Sequence, residues 1–165
     1  MTPITLLAVQ KVATLLNTNN ALDQQIASLA AASNVIIPPI QSSEIVLTSV
    51  DPNIGDDNYQ LTYPRICLYA GNVKNLKLEK FCHFSGTVSV MADIWASGTL
   101  IQQVDQWIHY YVEAYTELLR QNTGDWGDGV FFSGIYEVQF QNPKAGGFGF
   151  VESAKVICLF DVSRN

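Results

Sequence analysis

Residues 99–122, TLIQQVDQWIHYYVEAYTELLRQN, followed by Thr123 and the run GDWGDG at 124–129, decide the fold. Leu100, Val104, Trp107, Ile108, Tyr111, Val112, Tyr115, Leu118 and Leu119 recur at helical spacing and form one broad apolar face. Gln102, Gln103, Asp105, Gln106, Glu113, Glu117 and Gln121 occupy the opposite side. The spacing predicts one long helix, with Thr99 as its cap and Gly124 in the left-handed conformation that ends it. A helix with so wide an apolar face has to cover a sheet, so strands are expected on both sides of it.

Strand patterns do flank it. Residues 86–96 alternate, with Val88, Val90, Ala92 and Ile94 on one side and Thr87, Ser89, Met91 and Asp93 on the other. After the helix, 130–141 reads as a strand whose apolar face is Tyr136, Val138 and Phe140, and 151–162 as another built on Ala154, Val156, Cys158, Phe160 and Val162. Ile157 and Leu159 make this last strand apolar on its second face too, which predicts a central strand covered on both sides. Upstream, 64–70 reads as a short buried strand and 43–50 as another, separated by a turn-rich loop at 51–58. Residues 71–85 lack periodicity, and 142–149 (NPKAGGFG) reads as a flexible connection. At the N-terminus, 5–17 and 21–33 read as helices, with Leu6, Val9, Ala13 and Leu16, then Leu22, Ile26, Leu29 and Ala30, facing inward. Thr18-Asn19-Asn20 separates them and Pro38-Pro39 interrupts regular structure. The expected architecture is α+β: a largely antiparallel sheet, a long helix packed on one face, and an N-terminal helical hairpin. One domain is expected over 1–165, with the hairpin at 1–34 and the sheet plus long helix at 43–165.

The chain has 165 residues, 48% apolar and only 15% charged, against a usual charged share of about 25%. So little charge points to a surface rich in neutral polar groups or covered by partners. The formal net charge of -6 argues against wrapping nucleic acid electrostatically, yet suits a pore through which DNA slides. The charge is also uneven. Residues 65–80 hold Arg65, Lys74, Lys77 and Lys80 against Glu79 alone, a basic island in an acidic chain. Such an island suits head-to-tail packing of subunits; a solvated loop that carries lysines is the plain alternative. Cys67, Cys82 and Cys158 include no CxxC pair, and a reducing compartment is the simpler assumption. No signal peptide or membrane-spanning segment is expected, and the protein is expected to be soluble and made in the cytoplasm.

Candidate chemistry is thin. His83 and His109, with three scattered cysteines, have no zinc-ligand spacing, so no metal or other cofactor is expected. A Cys–His pair at Cys82 and His83 has no evident third group to orient it. Asp125 and Asp128 flank Trp126 as two carboxylates would for acid–base work, but each adjoins a glycine, where aspartate is expected for turn hydrogen bonds. Gly146-Gly147-Phe148-Gly149 joins two strands and has no helix N-terminus to receive a phosphate. Phe81, Phe84, Trp95, Phe131, Phe132 and Phe148 divide between core and contact roles. No enzymatic activity is expected.

Several segments in order carry a resemblance: YPRICLY at 63–69 as an opening strand, KFCHFSGTV at 80–88 leading into the alternating strand, the long helix with its Gly127-Asp128-Gly129 turn, and GIYEVQF at 134–140. In these, and in element order and size over roughly 60–165, the chain resembles the small tail terminator (tail completion) proteins of long-tailed bacteriophages. The resemblance implies an α+β structural protein that closes as a homo-oligomeric ring, usually a hexamer, on the head-proximal end of the tail tube. It implies as partners the tail tube protein and the head connector or adaptor, DNA passing through the lumen without sequence-specific binding, and a place in the virion after assembly in the host cytoplasm. On that reading Arg65, Lys74, Lys77, Lys80, Phe81, Lys144 and Phe148 are the candidate oligomer or partner contacts. The alternatives are another head–tail connector component, a small enzyme acting through Asp125 and Asp128 or Cys82 and His83, and a ligand-binding domain marked by a deep pocket.

Overall fold

The computed structural model describes residues 2–48 and 61–165, so the turn-rich loop expected at 51–58 lies outside the described residues. The elements are α1 (Ile4–Asn17), α2 (Ala21–Ser33), β1 (Ile45–Val46), β2 (Arg65–Asn75), β3 (Phe84–Gly98), α3 (Ile101–Gln121), β4 (Gly124–Asp125), β5 (Val130–Phe140), β6 (Lys144–Gly146) and β7 (Gly149–Arg164). The fold is α+β. Strands run in the order β1-β2-β3-β7-β5-β4, with β6 paired to β7. Among the described residues only β1 on β2 is parallel.

The spine of the sheet is β3 against β7, in unbroken antiparallel register from Phe84 opposite Arg164 to Gly98 opposite Phe150. On one face Val88, Val90, Ala92 and Ile94 of β3 join Val156, Cys158 and Phe160 of β7, all fully buried. Helix α3 lies on this face through Val104, Ile108, Tyr111, Tyr115 and Leu119. Helix α1 covers β2 and β3 beside it, and α2 packs against α3. The two N-terminal helices are joined through Asn19 and Asn20, both left-handed, the conformation short polar Asn tolerates best. The inward stripe of α1 is Ala8, Val9, Val12, Ala13 and Leu16, while Leu6 points to solvent.

Several local expectations are corrected. Helix α3 starts after Leu100, which has no side-chain cap, so Thr99 does not cap it. Its end is closed by Asn122, whose Nδ2 donates to the Leu118 carbonyl at 2.8 Å; Gly124 has a positive φ but sits in β4 opposite Phe132. Strand β2 runs on to Asn75 through a bulge between Ala70 and Val73, so the first third of the expected irregular stretch 71–85 is strand. The connection at 142–149 holds a small hairpin of β6 and the start of β7. In β5 the buried side chains are Val130 and Phe132; a register shift between Phe132 and Tyr136 leaves Tyr136 and Phe140 exposed. Strand β7 is central, but among the described residues no helix packs on its second face: Ile157 is half-buried and Leu159 exposed. Of the strand expected at 43–50, Ile45 and Val46 pair with β2 among the described residues.

Two sheet edges stay open among the described residues. Strand β1 covers β2 only at Ile66 and Cys67, and β4 covers β5 only at Phe131 and Phe132. Among the described residues, the outer backbone of Leu68–Asn75 and that of Ser133–Phe140 have no strand partner, and these edges lie on opposite sides of one sheet.

Candidate interaction surfaces

The seven candidate contact residues separate into two groups at opposite ends of the spine. Lys74, Lys77, Lys80 and Phe81 lie at the end marked by Phe84 and Arg164, on β2 past its bulge and on the connection 76–83 that leads into β3. Arg65, Lys144 and Phe148 lie at the other end, marked by Gly98 and Phe150. At about 3.3 Å per residue the fifteen residues of β3 run roughly 50 Å from end to end, and Lys74 and Arg65, opposite Thr87 and Trp95, lie roughly 26 Å apart.

At the first end every residue from Gly71 to Phe81 is exposed. Phe81 is 97% exposed and Leu78 68%, with Leu76 also largely open, and the three lysines lie among them. The base is held firmly. The Leu76 amide donates to the Ser85 carbonyl at 2.9 Å, and a Cβ on Gly86 would lie 1.9 Å from the Lys74 carbonyl oxygen, so only glycine lets the strands approach this closely. Cys82 Sγ donates to Glu79 Oε2 at 2.9 Å, and Ser163 Oγ donates to the same oxygen at 2.7 Å, tying the connection to the end of β7. The Glu79 carboxyl is held below its ordinary range by Cys82 first and then Ser163, and the same carboxylate pushes the Cys82 thiol up. Cys82 is therefore part of a structural tie with Glu79 and Ser163.

At the second end Phe148 is 64% exposed, its amide donates to Ser97 Oγ at 2.8 Å, and its ring meets Tyr63 edge-on at 6.2 Å. Lys144 lies beside a half-open hollow of about 350 Å³ that also touches Asp93, Trp95, Asn142, Ser153 and Lys155. Arg65 does not behave as an exposed contact: it is 5% exposed on β2, opposite Trp95, and its Nε has no hydrogen-bond partner. The guanidinium is a buried cation within the sheet's second face.

Sequence reasoning missed two polar groupings on the spine. Tyr69 Oη donates to Asp93 Oδ2 at 2.9 Å, and Lys155 Nζ lies 3.6 Å from Asp93 Oδ1 and 5.7 Å from the centre of the Tyr69 ring. The Tyr69 hydroxyl first, and then Asp93, hold the Lys155 ammonium above its ordinary range, while burial raises the Tyr69 phenol. With Lys144 nearby, this corner of the hollow can accept a polar or anionic group from a partner. Glu152 is 4% exposed on the helix-covered face, and its Oε2 has no partner. Burial first, and then Asp105 on α3, push its carboxyl up to about 7. Alternation placed Glu152 on the same face as Ala154 and Val156, and that odd position in an apolar series was the available signal.

The two turn aspartates act as turn residues. Asp125 Oδ1 accepts from the Gly127 amide at 2.8 Å, and Asp128 pairs with Lys11 of α1 at 2.6 Å. Lys11 also donates to the Trp126 carbonyl at 2.8 Å, and the Trp126 ring packs on Phe132 and Phe160 at 5.8 and 5.0 Å. Among the described residues, nothing brings the two carboxylates into one cleft with a further reactive group. His109 stacks on Phe140 at 4.6 Å, a packing role. Among the described residues no cluster of three or more His, Cys, Asp or Glu side chains can hold a metal, and no helix is long and apolar enough to cross a membrane. Comparison with protein-family models finds no match for the chain, and comparison with curated proteins finds none either.

Proposed function

We propose that this chain is a structural protein of a phage neck, a ring-forming tail terminator that caps the tail tube, ends its growth and joins it to the head connector. The observation that carries the reading is the projecting β2–β3 connection, where Leu76, Leu78 and Phe81 stand exposed among Lys74, Lys77 and Lys80 on an acidic chain. Apolar side chains held out on a tied, basic hairpin do nothing for a monomer's stability; they suit a neighbour with apolar and acidic surface. The contact group at Lys144 and Phe148, at the far end of the spine, gives the same subunit a second surface for a different partner, tube at one end and connector at the other. The overall acidic balance lets DNA pass through a lumen without being held.

Sedimentation and light scattering of the protein alone and with purified tail tube protein test the proposal. The expected result is a discrete closed oligomer that binds tube ends and stops their elongation. A strict monomer at every concentration that never associates with tubes overturns it.

A further inference from the structure

The two open edges have complementary properties. The β2 edge, Leu68–Asn75, carries Lys74 and runs straight into Lys77 and Lys80, with Glu79 the lone acid of 71–83. The β5 edge, Ser133–Phe140, belongs to a segment, 121–143, that contains no lysine or arginine and three acids, Asp125, Asp128 and Glu137. Asp128 is taken by Lys11, and Glu137, exposed on the edge strand, accepts only from Gln139 at 2.7 Å. The edge also exposes Ile135, Tyr136 and Phe140, has neither proline nor lysine, and confines its irregularity to the start, between Phe132 and Tyr136.

Direction fits as well as charge. Strands β2, β3, β7 and β5 alternate up and down across the sheet, so β2 and β5 run opposite ways. Placing the β2 edge of a second copy beside β5, with both sheets facing the same way, continues the antiparallel alternation without a break.

We infer that the partner of the β5 edge is the β2 edge of a second copy of this chain, so that subunits join head to tail through one continuous sheet, staggered by about four residues along the seam so that Lys74 of one copy comes near Glu137 of the next. The inference rests on the ring reading above and adds its interface. A head-to-tail contact of this kind uses two different surfaces per subunit and closes into a ring when the rotation between copies allows. Backbone hydrogen bonds supply the adhesion, and the Lys74–Glu137 pairing selects this edge over self-pairing of either one.

The test uses Lys74→Glu and Glu137→Lys, singly, mixed, and together in one chain, with sedimentation as readout and circular dichroism to show that each variant is folded. Each single variant places like charges at every joint, and its half-assembly concentration is expected to rise about tenfold or more. Mixing the two restores assembly, because each variant's altered edge then meets the other's, and the doubly exchanged chain assembles alone. A second measurement is formation of a disulfide between copies carrying Lys74→Cys and Glu137→Cys in a Cys82→Ser background. Single variants that assemble like the parent, or that fail with no rescue on mixing and no cross-link, overturn the edge pairing while a parent ring leaves the ring reading standing. A parent protein that stays monomeric throughout overturns both.

Discussion

Tyr115 buries its hydroxyl completely, with only the weakly bonding thiol of Cys158 on β7 beside it, and burial pushes the phenol well up and the Cys158 thiol up to about 12. A buried hydroxyl without a good partner costs about 1–3 kcal/mol, whereas the ring around it is well packed. Tyr115→Phe is therefore expected to keep or raise the melting temperature, and a loss of more than about 1 kcal/mol in denaturant unfolding would show that the hydroxyl bonds usefully. The same burial predicts thiol reactivity: a neutral alkylating reagent should modify Cys82 alone in the native state, slowly because Glu79 holds its proton, and all three cysteines after unfolding. Glu152 gives a pH dependence. Its carboxyl titrates near 7 folded and in the ordinary glutamate range unfolded, so the folded state binds the extra proton between those values. Stability contributed by the protonated form is full at low pH, falls as pH rises towards about 7, and stays lost above it. Glu152→Gln should raise the melting temperature by a few degrees at pH 8 and change little at pH 4; equal effects at both would remove the carboxyl as the cause.

At the scale of elements, α3 was legible because its apolar positions outnumber any competing pattern, and seven of the nine residues assigned to its face are buried. Its ends were not. Thr99 and Gly124 have the right chemistry for caps, but the helix begins one residue later than Thr99 requires, after the extended Leu100, and strand pairing claims Gly124. Trp107 and Tyr111 show what local pattern cannot: they donate to the Ile36 and Pro38 carbonyls at 3.0 and 2.8 Å, pinning the proline segment that has no ladder of its own. The β5 face was misread because a bulge is a property of two strands and leaves no alternation signal in one. Two substitutions probe these elements. Gly86→Ala forces β2 from β3 at the base of the projecting hairpin and should cost about 2–3 kcal/mol, read by denaturant unfolding. Trp126→Ala empties the space against Phe132 and Phe160 and should cost about 3 kcal/mol, where Phe131→Ala, on an exposed ring, should cost less than about 1.

For the whole molecule, the sequence revealed the basic island but not its division. Arg65 belongs to residues 65–80 by count, yet it is buried near one end of the spine, while the lysines stand exposed at the other. Linear proximity misled because β2 spans the distance between them. If the lysines join subunits through charge, assembly should weaken steadily as salt rises from roughly 0.05 to 0.5 M, since contacts on exposed edges lie within reach of counterions. An oligomer unmoved by salt would leave backbone pairing at the edges, with the apolar side chains beside it, as the adhesive. The unbroken β3–β7 register has a further consequence. With no hinge between the ends, a change at Phe81 leaves the placement of Phe148 untouched, and the free-energy effects of the two substitutions should add. In a lineage of such chains, each contact surface is then free to diverge at its own speed. The length of the spine is not: one inserted residue would turn every side chain beyond it to the opposite face, so the span between the two surfaces is inherited as a fixed measure.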